Sequence, residues 1–196
     1  MSALLPPATR ALILINVGVF LLQSAAGDLM AGLFALWPLH SGLFRPWQVL
    51  TYGFLHASVL HVFLNMFALF MFGGALERYW GARRLVIFFL VCVLSAALTQ
   101  LAVEPPAAEE PTIGASGGIF GVLLAFAWYF PRQRVMLLFP PIPMPAWLFV
   151  TLYALLELFF GVTGRQPGVA HFAHLGGLLG GALCILYWRT RGRFGS

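Results

Sequence analysis

Leu85 to Val103 reads LVIFFLVCVLSAALTQLAV, without one charged side chain. A run this long and apolar can cross the roughly 30 Å hydrocarbon core of a bilayer as a helix, which needs about 20 residues. Working outward, five more stretches match it: Arg10–Ala26, Ser58–Leu76, Ile113–Phe130, Ala146–Val162 and Val169–Trp188, divided by segments bearing Pro, Gly or charge. The sequence therefore predicts an all-α polytopic membrane protein, a six-transmembrane-helix bundle forming a single domain over residues 1–196. The first stretch also fits a secretory signal, with Arg10 ahead of the apolar core and Ser24, Ala25 and Ala26 where cleavage would fall. Its removal would leave five spans.

Composition agrees with the spans. Hydrophobic residues make up 61% of the chain and charged ones 9%, against about 25% charged in soluble domains. That excludes a soluble enzyme, a nucleic-acid module and a disordered chain. The pI is 9.9, but the eleven cationic residues, all Arg, are scattered rather than gathered into a nucleic-acid-binding stripe. Their sides are informative. Taking segments alternately, Arg10, Arg78, Arg83, Arg84, Arg132, Arg134, Arg189, Arg191 and Arg193 fall on one side, and Arg45 and Arg165 on the other. The positive-inside rule then makes both termini cytoplasmic and turns the loop with Glu104, Glu109 and Glu110 outward. The segment between the first two spans is about thirty residues long and rich in Leu33, Phe34, Leu36, Trp37, Leu43, Phe44 and Trp47; it is expected to lie in the outer interface, where Trp partitions. Cys92 and Cys184 sit in apolar runs and imply no disulfide.

Polar groups in hydrocarbon are costly and mark function. Here they are His56, His61 and Asn65 at the second span, Ser116 in the fourth, Glu157 in the fifth, and His171 and His174 in the sixth. Around Ser116, the run Gly114-Ala115-Ser116-Gly117-Gly118-Ile119-Phe120-Gly121 has small-xxx-small pairs. In the sixth span Gly177 and Gly181 follow His174 on its own helical face. Two helices smooth on the faces carrying a Ser and a His can bring them to the 2.6–3.2 Å that a general base requires. His61 and Asn65, four apart on one face, and the Ser116 amide at a helix N-terminus are candidate donors to an oxyanion.

Together these residues resemble the rhomboid family of intramembrane serine proteases, over nearly the whole chain. The resemblance rests on Trp47, on His56-x4-His61-x3-Asn65, on Leu76-Glu77-Arg78-Tyr79-Trp80-Gly81, on Gly114-x-Ser116-Gly117 and on Ala173-His174-x-x-Gly177-x-x-x-Gly181. It implies Ser116 as nucleophile and His174 as base in a dyad without a catalytic carboxylate. His61, Asn65 and the Ser116 amide would form the oxyanion hole, and Phe120 would pack on the His174 ring. It further implies cleavage of transmembrane segments of membrane proteins near the outer face, in a bacterial inner membrane, with no cofactor and no metal. Substrate would enter between spans two and five, with Gly161, Gly164 and Gly168 giving hinge freedom.

Other residues carry weaker expectations. Gln48 stands where the family often has Arg and cannot supply a charged fork, which questions an ionic brace in the first loop. His171 is assigned to the site entrance, His40 and His56 to backbone hydrogen bonds, and Glu77 to a structural cap or ion pair. Glu157 could be a triad member, but because the family uses a dyad it is expected to bond span two or a water-filled cavity. Two rivals differ in class. A non-catalytic rhomboid-like client-binding protein would lack the Ser or the His. A His-based metal protein could set His61/Asn65 against His171/His174, but no H-E-x-x-H and no carboxylate beside either pair are read in the sequence.

Overall fold

The computed structural model describes residues 5–105, 108–136, 141–166 and 168–191. Its main helices are α1 (Pro7–Phe34), α2 (Val59–Trp80), α3 (Ala82–Val103), α4 (Ser116–Tyr129), α5 (Ala146–Thr163) and α6 (His171–Thr190). All but α4 are long and apolar enough to cross a membrane. The protein is thus an all-α multi-pass membrane protein, with one unanticipated two-stranded antiparallel ribbon, β1 (Arg134–Met136) against β2 (Pro143–Pro145). Arg193, counted in the charge asymmetry, lies outside the described residues.

Glycine decides which helices lie at the centre. On α6, Gly177 and Gly181 face α4: a side chain at Gly177 would collide with the Gly117 carbonyl, and one at Gly181 would stand 3.2 Å from the Gly121 Cα. Gly176 and Gly180 face α3, where an added Cβ would come within 2.5 Å of Thr99 and of Ser95. Ser95 Oγ also donates to the Gly176 carbonyl at 2.8 Å. Lipid tails are as apolar as leucine, so such close backbone contact, rather than hydrophobic exclusion, holds these helices together. Gly117, Gly118 and Gly121 let α4 sink between Ala96, Phe89 and Cys92 on one side and α6 on the other.

The outer helices α1, α2 and α5 turn Leu14, Leu21, Phe63, Phe70, Leu155 and Leu158 outward, as lipid-facing side chains should. Helix α1 is pinned at its N-terminus by Glu77. The carboxylate accepts from Ala8 N at 2.8 Å, from Thr9 N at 2.7 Å and from Thr9 Oγ1 at 2.7 Å. A carboxylate at a first turn satisfies orphan amides and meets the positive end of the dipole. Glu77 is therefore the cap that the sequence anticipates, acting on a different helix from its own.

The first loop departs from expectation. Helix α1 runs on through Leu33 and Phe34, with a break at Gly27 (φ 43°), so the connection is shorter than thirty residues. Leu36 is buried rather than interfacial: its backbone pairs with Thr112 in both directions at 3.0 and 2.9 Å. Gln48, fully buried, braces the turn without charge. Its Oε1 accepts from Trp37 N (3.3 Å) and Arg45 N (3.1 Å), and its Nε2 donates to the carbonyls of Leu33 (3.4 Å) and Leu43 (3.1 Å). A neutral amide with both ends satisfied replaces the charged fork.

Candidate active site

The site begins where the fourth span falls short. Helix α4 has 14 residues, about 21 Å of rise, and starts at Ser116 rather than at the expected Ile113. Gly114, at φ 130°, lies in a region that residues with a Cβ rarely adopt, and so keeps the chain out of a helix just before the serine. Its amide bonds the Tyr52 carbonyl at 3.0 Å, which satisfies irregular backbone inside the protein. Ser116 consequently stands at a helix N-terminus whose first amides have no intrahelical partner.

His174 Nε2 lies 2.7 Å from Ser116 Oγ. The two helices approach this closely because Gly177 and Gly117 are bare, and Phe120 stacks on the His174 ring at 4.4 Å and 10°. The sequence-expected pair is therefore in contact, with the aromatic packing beside it. Gly114 is needed for space as well as conformation: a Cβ there would stand 2.9 Å from His61 Cε1 and 3.6 Å from Ser116 Oγ. His61 Nδ1 accepts from Ala57 N at 3.3 Å, which puts the ring proton on Nε2, the atom that faces Gly114. Asn65 is buried and its Nδ2 has no hydrogen-bond partner among the described residues. A buried donor left unpaired costs about 1–3 kcal/mol, a cost that is recovered when an acceptor enters.

Three expectations need correction. Among the described residues Glu157 bonds α6 rather than span two; its Oε2 lies 2.6 Å from His171 Nδ1 and 2.9 Å from His174 Nδ1. A carboxylate thus does accompany the Ser–His pair. The His171 contact is an aligned hydrogen bond, whereas the carboxylate sits off the N–H axis of His174, whose Nδ1 has no aligned partner among the described residues. His171 is buried and not at an entrance; its Nε2 is also 3.3 Å from the Gln166 carbonyl. Among the histidines given backbone bonds, His40 makes one, to the Ala108 carbonyl at 3.0 Å, and the buried His56 ring interacts with the Phe54 backbone without an aligned bond among the described residues. His56 packs edge-on to His61 at 5.0 Å. Burial first, and His61 second, hold its pKa down at about 4.

Glu157, His171 and His174 could also be read as metal ligands, since one donor atom from each lies within 4.8 Å of the others. The separations of 2.6 and 2.9 Å are shorter than ligands of one metal ion would stand. Donors about 2.0–2.1 Å from a tetrahedral zinc stand roughly 3.3 Å apart.

The rhomboid domain model matches residues 43–191, which covers every one of these site residues. The chain belongs to the rhomboid family. It is similar to the rhomboid protease GlpG of Photorhabdus laumondii, 27% identical over 188 residues, or 96% of this chain and 63% of that protein. It is also similar to the GlpG of Klebsiella pneumoniae, 28% identical over 123 residues (62% and 43%). Rhomboid protein 1, mitochondrial, of Saccharomyces cerevisiae is 31% identical over 134 residues (67% and 38%). The chain spans 38 to 63% of the length of these relatives.

Proposed function

We propose that this protein is an intramembrane serine endopeptidase that hydrolyses peptide bonds in or near the transmembrane segments of other membrane proteins. The observation that carries the reading is the 2.7 Å contact between His174 Nε2 and Ser116 Oγ, beside the unpaired donor of Asn65. In this mechanism Ser116 Oγ attacks the scissile carbonyl carbon as His174 Nε2 takes its proton. The oxyanion is met by His61 Nε2–H, Asn65 Nδ2–H and the Ser116 amide at the positive end of α4. Collapse passes the proton from His174 to the leaving amine and leaves an acyl ester on Ser116. Water, deprotonated by His174, then attacks the ester and frees Ser116. The residues require no cofactor and no metal for these steps.

A helical substrate satisfies its own backbone hydrogen bonds, so it must unwind locally to present a carbonyl. Access is assigned to the gap between α2 and α5, with α5 and the loop carrying Gly164 and Gly168, both at positive φ, as the movable part. The Arg asymmetry supports an orientation with both termini in the cytoplasm and Ser116 toward the outer face of a bacterial inner membrane.

Two substitutions test the reading. Ser116→Ala and His174→Ala are each expected to lower cleavage of a reporter with a transmembrane segment by about 10⁴-fold or more, with the folded protein persisting in detergent. A serine-directed phosphonate should label the wild type and not Ser116→Ala. Full cleavage by Ser116→Ala, or loss of activity to a chelator in place of the phosphonate, would overturn the serine mechanism.

A further inference from the structure

We infer that Glu157 is a positioning residue that fixes the tautomer of His174, and that His171 holds the Glu157 carboxylate in place. The inference rests on the serine-protease reading and deepens it. Glu157 Oε2 is approached by two imidazole nitrogens at once, His171 Nδ1 at 2.6 Å and His174 Nδ1 at 2.9 Å. A carboxylate oxygen only accepts, so the nitrogen of His174 that faces it carries the proton. A neutral imidazole has one proton, which leaves Nε2 with its lone pair, at the atom 2.7 Å from Ser116 Oγ. That is the form a general base needs. The opposite tautomer would aim a lone pair at a carboxylate and a proton at the hydroxyl it must deprotonate.

His171 contributes through geometry. It lies three residues before His174, one helical turn back, so both Nδ1 atoms can reach one point on α5. Its aligned bond to Oε2 ties the carboxylate to α6. With the side chains only 11% (Glu157), 11% (His174) and 6% (His171) exposed, water screens the charge little. In the proposed reaction the proton moves from Oγ to Nε2 and on to the leaving amine. The Nδ1 proton stays where it is, and Glu157 takes none. Because the oxygen sits off the His174 N–H axis, the effect should be smaller than the 10⁴-fold loss seen when an aligned catalytic carboxylate is neutralised. Apo catalytic contacts commonly tighten with substrate bound.

The test compares wild type, Glu157→Gln and Glu157→Asp in detergent with the same reporter and phosphonate. Glu157→Gln is expected to lower kcat and the rate of phosphonate labelling by roughly 10- to 100-fold with KM within about twofold. Glu157→Asp should recover part of both. A purely structural role would change thermal stability and KM instead. Labelling and kcat of Glu157→Gln at the wild-type level, in an active wild type, would overturn the inference alone. A wild type that neither cleaves nor labels would overturn the proposed function first, and this inference with it. If Glu157→Gln fails to fold, ¹⁵N imidazole shifts of the wild type decide: a proton on His174 Nδ1 supports the assignment, and one on Nε2 refutes it.

Discussion

The inner helices α3, α4 and α6 and the outer helices α1, α2 and α5 are held by different physics. Half of the most apolar stretch of α6 is buried inside the protein, against 17% for α5 and 11% for α1, with α2 (39%) and α3 (33%) between them. The inner three meet through bare glycine faces in backbone contact. The outer ones are pinned at discrete polar points: Glu77 on the start of α1, the Gln23 side chain of α1 on the His56 amide at 3.0 Å, and Glu157 of α5 on His171. The base and the nucleophile both sit on inner helices, where a 2.7 Å contact can be kept. The carboxylate sits on an outer helix, where it acts through charge over a less aligned contact, and that helix is free to move for substrate in the proposed reaction.

Filling a glycine face should break the inner set outright. Gly177→Val puts a side chain onto the Gly117 carbonyl, and overpacking backbone against backbone is expected to cost at least about 3 kcal/mol. The measurement is thermal unfolding in detergent, with loss of cleavage alongside. Leu155→Ala on the exposed face of α5 should stay within about 0.5 kcal/mol. Equal melting temperatures for the two variants would refute the distinction between inner and outer helices.

Removing a pin should loosen one outer helix and leave the inner three. Glu77→Gln keeps the shape but loses the charge that accepts from two buried backbone amides. Hydrogen bonds to charged groups are worth about 1.5–3 kcal/mol each and the amide retains one acceptor, so a loss of about 2–3 kcal/mol is expected. Hydrogen exchange should report it first in the α1 amides, Ala8 and Thr9 foremost; uniform exposure across all helices would show that α1 is part of the inner unit.

The inner set was legible in the sequence because its cause is local. Gly177 and Gly181 share a face with His174 by helical period alone, so the Ser116–His174 contact could be anticipated from the residues, whereas the Phe120 stack was implied by the family resemblance. The late start of α4 was less visible: a glycine at 114 is plain, but its positive φ depends on the Tyr52 carbonyl, which is distant in sequence. The Glu157 contact was missed for the same kind of reason. It depends on how far the loop between α5 and α6 carries the chain, which no period encodes. Two signals pointed to it, the lone acid within a span and a second histidine one turn before the base. Gln48 shows the converse case, in which the lost charge was legible and the compensating amide bonds were not.

The smallest effect tests the His56 ring in the loop ahead of α2, and its sign follows from burial. The His56 ring is held neutral, with its pKa lowered from 6.5 to about 4, while an unfolded chain would take the proton near the ordinary value. Its contribution to stability is therefore complete above about pH 6.5 and is lost as pH falls through about 4. The full shift corresponds to about 3 kcal/mol, which partial hydration of the ring reduces to the order of 1–2 kcal/mol. Wild type and His56→Phe share every carboxylate, so the difference between their melting temperatures from pH 7 to pH 4 isolates the ring. Wild type should lose more on acidification than His56→Phe. Parallel curves would mean that the His56 proton is not excluded.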